Sequence, residues 1–235
     1  SSRNETKGKE MRRIRILFFL FPVILTGCEA IGALLGIDEL SLLGITPAQG
    51  FSDPNSQDHG LVTFAVGGST GDAPWALVES LHECSPDTRM ALMEFGNGRP
   101  SQGFGDTTIL ADYTTETNTL KQAANDLSED GWTPLWDSTI EVLGSLAEDA
   151  NDEFGQGDET GKGIVVLTDG EDTDSSNTLQ GAIDAGKNRN IAVNTVGLGP
   201  ASDIADESQQ VQGAISGLRA LASKTGGYYG SAADA

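Results

Sequence analysis

From Leu61 onward, short apolar runs rich in branched residues alternate with longer stretches whose apolar positions recur at helical spacing. The runs LVTFAV (61–66), RMALMEF (89–95), TTILAD (107–112), GIVVLT (163–168) and IAVNTVG (191–197), with a short one near 227–229, predict strands. Between them the pattern predicts helices over about 73–84, 116–129, 134–149, 177–188 and 209–224. Strands alternating with helices imply an α/β fold, a doubly wound, mostly parallel six-stranded sheet with helices on both faces. The link from Gly96 to Asp106 is short and rich in glycine. The second and third strands are therefore predicted to pair as a hairpin, which places one antiparallel strand at a sheet edge.

Ahead of Leu61 the pattern is different. From Met11 the chain reads MRRIRILFFLFPVILTGC, a basic start followed by an apolar run from Ile16 to Leu25. That run is short for a transmembrane span and has the layout of a secretory signal. Leu25-Thr26-Gly27-Cys28 resembles the lipobox of bacterial lipoproteins, in which the cysteine is alkylated with diacylglycerol and the peptide is cut just before it. The resemblance implies lipidation of Cys28, anchorage to a membrane through that lipid, and a place in the bacterial cell envelope facing the periplasm or the exterior. An uncleaved N-terminal anchor would put the domain on the same side. Residues 1–27 are thus expected to be upstream sequence and signal peptide, with the natural start at Met11. Residues 28–58 read as the lipidated cysteine and a tether broken by Gly, Pro, Ser and Asn, and 59–235 as the folded domain.

Charge sharpens this picture. The formal net charge is −21, yet six of the 14 Lys and Arg precede Cys28; removing that segment leaves 8 basic against 33 acidic groups, a formal −25. So acidic a surface repels nucleic acid and anionic headgroups, so any approach to a membrane is expected to come from the lipid anchor and not from charge. Of the two cysteines, Cys28 is taken by the lipid, and Cys84 ends an apolar series with Leu77 and Leu81 that reads as core.

In open sheets of this kind, ligands sit beyond the carboxyl ends of the strands, where strand order reverses. The loops that reach this point contain Gly67-Gly68-Ser69-Thr70-Gly71-Asp72, Gly131-Trp132-Thr133-Pro134-Leu135-Trp136-Asp137 and Thr168-Asp169-Gly170-Glu171-Asp172. Their hydroxyl and carboxylate oxygens are the ligand type of a hard divalent cation. At these loops, and again at Leu218 to Tyr229, the chain resembles the von Willebrand factor type A domain family over about 61–235. The resemblance implies that family's Rossmann-like fold. It also implies a metal-ion-dependent adhesion site, with Ser69, Thr133 and Asp169 as its metal residues and Mg²⁺ or another divalent cation as its ion. The family's first motif, Asp-x-Ser-x-Ser, is damaged here: Ala65 stands at the aspartate and Gly67 at the first serine. Metal binding is accordingly expected to be weak or absent, and restoring both residues is expected to rebuild the site on Thr133 and Asp169. The closing helix that family members usually add after the last strand is expected to be lost or to lie beyond Ala235.

Catalysis has little to work with. A nucleophile needs a neighbouring base, and the two histidines are His59 at the end of the tether, ahead of the first strand, and His82 on the first helix, neither at motif spacing to a Ser or Cys. No phosphate-cradling loop and no zinc-type Cys and His grouping is present in the sequence. The sequence therefore points to an envelope-anchored, non-enzymatic binding module for protein–protein interaction or adhesion. Its partner would be an extracytoplasmic protein, met by Trp132, Asp137 and Glu171. The alternative is a structural or regulatory subunit of a larger envelope complex with no metal role.

Overall fold

The computed structural model describes residues 61–67, 73–96, 107–127, 133–154, 162–169, 172–203, 206 and 208–232. The signal segment, Cys28, the tether and the side chain of Cys84 lie outside them. In chain order the elements are β1 (Leu61–Gly67), α1 (Ala73–Cys84), β2 (Arg89–Phe95), β3 (Thr107–Thr114), α2 (Thr117–Asn125) and α3 (Leu135–Phe154), then β4 (Lys162–Thr168), α4 (Leu179–Arg189), β5 (Ala192–Leu198), α5 (Gln209–Thr225) and β6 (Tyr229–Ala232). A single 3-10 turn, Gly199–Ser202, follows β5. None of the described helices is long and apolar enough to cross a membrane.

The strands form one six-stranded sheet in the order β3-β2-β1-β4-β5-β6. All pairings are parallel except β2 with β3, so the hairpin at the edge is as the short link predicts. Strand order reverses between β1 and β4, which makes their carboxyl ends the switch point. The central strands are mostly apolar and almost wholly buried because helices cover both faces. All seven residues of β1 are buried, and they divide by alternation between two cores. Leu61 and Ala65 face the side of α3, α4 and α5, packing with Leu143, Leu146, Ile183 and Leu218. Val62, Phe64 and Val66 face α1 and α2, packing with Val78, Leu81 and Leu120.

Element bounds differ from the sequence reading where local signals were weak. The helix expected over 134–149 runs on to Phe154, since no Gly or Pro stands between Asp149 and Gly155. The helix expected over 116–129 stops at Asn125, where the Asp126 N–H closes the last turn onto Gln122 and Ala123. Where caps are strong the agreement is closer. Thr178 accepts from the Gly181 N–H at the start of α4. Gly226, at φ 90, ends α5 in the left-handed conformation that glycine adopts without steric penalty.

Candidate functional site

The carboxyl ends of β1 and β4 deliver Gly67 on one side and Thr168 and Asp169 on the other. Thr133 and Pro134 arrive from the amino end of α3. Pro134 suits this position because its missing N–H is not needed at a helix start, while its carbonyl accepts the first helical bond from Ser138 (2.9 Å). Thr133 is held by its backbone. Its N–H donates to the Thr173 hydroxyl (2.9 Å), and its carbonyl accepts from the Thr173 N–H (2.9 Å).

Trp136 and Asp137 are tied to the same loop. The N–H groups of Trp136 and Asp137 donate to the Ser175 hydroxyl at 2.9 and 3.1 Å. That hydroxyl in turn donates to Asp172, whose carboxylate also accepts from Trp136 N–H at 3.4 Å. The amino end of α3 is thus capped in trans by a serine and a carboxylate, both favourable against the positive end of a helix dipole. Asp137 completes the clasp from the other direction. It accepts from the N–H groups of Ser176 (2.7 Å) and Asn177 (2.8 Å) and from the Asn177 side-chain amide (2.7 Å).

This geometry separates the residues expected at the site. Thr133 and Asp169 are brought to the switch point and are partly exposed there. Asp137, expected to meet a partner, is only 6 % exposed, and both its oxygens are engaged inside the clasp. It acts as a structural residue, because a short carboxylate one turn into α3 reaches the 176–177 backbone before it reaches solvent. Ser69, Trp132 and Glu171 lie outside the described residues. Sequence reasoning missed Thr173 and Ser175, which hold the platform. Their only sequence signal is a Ser/Thr-rich stretch ahead of a helix start. It also missed the 199–202 turn, where a Cβ on Gly199 (φ +48) would lie 3.9 Å from the Cβ of Asp169. That turn forms a further wall of the site.

The first motif does not fit a cation site. Ala65 is 1 % exposed and sits in the core beside Ala91 and Met93. At Gly67 the space a side chain needs is already filled: a Cβ there would stand 2.1 Å from Cε2 and 2.4 Å from Cζ of Phe95. Gly67 is not among the positive-φ glycines, so the obstacle is the ring and not the backbone. Restoring serine at Gly67 is therefore not the simple repair the sequence suggests. Among the described residues, Thr133 and Asp169 are partly exposed at this face, while Thr168 is fully buried. Hydroxyl and carboxylate groups on a fixed backbone can dock a polar partner group. No base-activated nucleophile stands among the described residues here, and His82 lies in the last turn of α1.

Comparisons with known proteins agree with this architecture. A sequence model of the von Willebrand factor type A domain matches residues 75–229. Among solved structures the chain is similar to the conserved hypothetical protein BatB of Bacteroides thetaiotaomicron, with 15 % identity and a TM-score of 0.51 over 75 % of this chain and 91 % of that one. It is also similar to proximal thread matrix protein 1 of the mussel byssus, with 14 % identity and a TM-score of 0.50 over 73 % of this chain and 43 % of the other. At these identities the likeness is one of fold. No curated protein matches the sequence.

Proposed function

The chain belongs to the von Willebrand factor type A domain family, whose members are general protein-interaction and adhesion modules, and from that premise we propose an envelope-anchored binding module that captures a protein partner without depending on Mg²⁺. The binding face is the switch point between β1 and β4, with Thr133 and Asp169 at its centre and Trp132 and Glu171 on the loops that lead to it. One observation supports the loss of metal dependence: the Phe95 ring fills the space that any side chain at Gly67 would need. The clasp between 133–137 and 172–177 supports the rest, because a face held rigid before binding loses less entropy when a partner docks. The domain is not an enzyme in this reading. The acidity of the folded part favours a partner with a basic or neutral docking surface.

The test is capture of an envelope protein by the membrane-extracted chain, with and without chelator. Capture is expected to survive chelation and to fall at least about tenfold, roughly 1.4 kcal/mol, with Trp132→Ala if the indole is a central anchor. Capture that persists in both Trp132→Ala and Asp169→Ala, with folding intact, would place the binding face elsewhere. Anchorage has its own measurement. The intact mass of the extracted protein is expected to correspond to a chain starting at an acylated Cys28, and a mature chain that still begins at Met11 rules the lipid anchor out.

A further inference from the structure

We propose that the outer edge of β3 is a second docking surface, which takes an extended, basic segment of a partner protein as an added strand of the sheet.

Among the described residues the sheet ends at β3, which pairs with β2 and with no other strand. Such an edge invites a further strand unless charge, proline or a bulge closes it. Toward Thr114 it is closed. The register with β2 slips between Ile109 and Ala111 and again between Ala111 and Thr114, and irregularities of this kind turn an edge away from pairing. The Tyr113 N–H there donates to the Asp112 carboxylate at 2.7 Å, and the Tyr113 carbonyl accepts from Arg89 at 3.0 Å. Toward Thr107 the edge is open. Thr107 to Ile109 pair regularly with Phe95 to Met93, and the stretch TTILA from Thr107 to Ala111 holds no charge and no proline. Apart from the ladder with β2, the backbone of Thr108 to Ala111 makes no hydrogen bond among the described residues.

Main-chain pairing over so few residues is weak, so a docked strand needs side-chain contacts as well. Ile109 offers one. It stands out at 57 % exposed among the described large apolar side chains, although it lies on a strand. It shares a sheet face with Met93, its partner in register, and so points to the side of α3. Thr107 lies on the same face, where its hydroxyl donates to Glu141 of α3. From Glu141 the positions Ser145 and Glu148 follow at helical spacing, which carries the row along the strand. Burial, and after it the charge of Asp149, raise the Tyr113 phenol above its ordinary pKa, which sets Asp149 near the other end of β3. Ile109 is therefore an apolar contact bordered by the exposed acids Glu141 and Glu148 on the helix and Asp112 on the strand.

Charge selects the occupant. The tether between Cys28 and Leu61 carries Glu29, Asp38, Glu39, Asp53 and Asp58 and no Lys or Arg, so it is repelled from this border. A second copy brings 33 acidic groups against 8 basic ones after Cys28, and is repelled more strongly. A strand that alternates apolar and basic residues fits both features. One side chain of each kind in turn meets Ile109 and the acids, because alternate residues of a strand face the same side. The surface is distinct from the switch point, since β2 lies between β3 and β1.

The experiment titrates the full chain, in non-ionic detergent, with a fluorescent peptide that alternates Val and Lys over about eight residues, roughly 27 Å when extended. A peptide alternating Val and Glu is the counterpart. The Lys peptide is expected to bind, to weaken as salt is added, and to slow amide exchange within Thr107 to Ala111. Ile109→Lys is expected to bind it at least about tenfold less tightly, with a melting temperature within about 1 °C of wild type because the side chain is exposed. Glu79→Lys, at an exposed site on α1, changes the net charge more and is expected to keep the affinity within about twofold. Should Ile109→Lys fail to fold, Ile109→Thr takes its place with a loss of at least about threefold expected. The proposal falls if the Lys peptide does not bind, if the Glu peptide binds as well, or if Glu79→Lys costs as much as the change at Ile109. Slowed exchange elsewhere on the domain, with β3 unaffected, overturns it too. Self-association of the chain that itself protects β3 would make a second copy the occupant and overturn the choice of a basic strand.

Discussion

Asp137→Ala is expected to destabilise the domain by about 2–4 kcal/mol, a fall of roughly 6–12 °C in melting temperature for a domain of this size. The carboxylate is 6 % exposed and accepts three hydrogen bonds, from both backbone N–H groups at 176–177 and from the Asn177 amide. Bonds to a charged acceptor contribute about 1.5–3 kcal/mol each in isolation. The total here is smaller than their sum, because Ser176 and Asn177 are exposed and their donors can return to water. Asp137→Asn should lose less, since the amide retains one acceptor oxygen. The loss should also be local before it is global. Amide exchange at Ser176 and Asn177 is expected to speed up in the variant, together with exchange at Trp136, whose cap depends on the same loop. A melting temperature within about 1 °C of wild type would show that the clasp is held by Ser175 and Thr173 alone.

Gly197→Ala should destabilise by at least about 3 kcal/mol, for a reason that involves backbone and not side chains. A methyl group at Gly197 would stand 2.2 Å from the carbonyl oxygen of Ala201 and 2.8 Å from its carbon. That same oxygen accepts the Tyr229 hydroxyl at 2.8 Å, so the 199–202 turn cannot move aside without breaking a bond that ties β6 to the turn. Burial holds the Tyr229 phenol above its ordinary pKa, which keeps it a neutral donor. Since the turn also walls Asp169, the variant should weaken partner capture beyond what its residual folded fraction explains. Gly144→Ala is the control. It lies within α3, where an added Cβ meets only the Arg189 Nη2 at 4.0 Å, and removing a helical glycine should raise stability by about 0.5–1 kcal/mol. If the two substitutions change the urea midpoint by similar amounts in the same direction, the close approach at Gly197 is not what holds the turn.

Much of the fold was readable before any coordinates. The run GIVVLT could only be a strand covered on both faces, and β4 lies buried at the centre of the sheet beside β1. The short link after Phe95 required the antiparallel edge pair, and the pairing of β2 with β3 has that form. The Thr-Pro-Leu start of α3 and the Thr-Asp end of β4 were legible because turn and cap chemistry is local. The candidate site was legible as a place, since a doubly wound sheet puts its switch point where strand order reverses.

What the site contains was less legible. Asp137 and Asp169 both look like exposed acids in sequence, yet one is turned inward by donors 39 and 40 positions away and the other remains partly exposed. Ser175 carries no sign of capping a helix that began about 40 positions earlier in the chain. Gly67 reads as a lost ligand, and only the pairing of β1 with β2 shows that its hydrogen is what Phe95 packs against. The sequence by itself determined the strand and helix order, the edge hairpin and the switch point. Each of these depends on periodicity or on chemistry within a few residues. Only the tertiary structure decided which oxygens face out and whether a missing side chain left a gap or a filled space, because both depend on contacts between segments that no local pattern encodes.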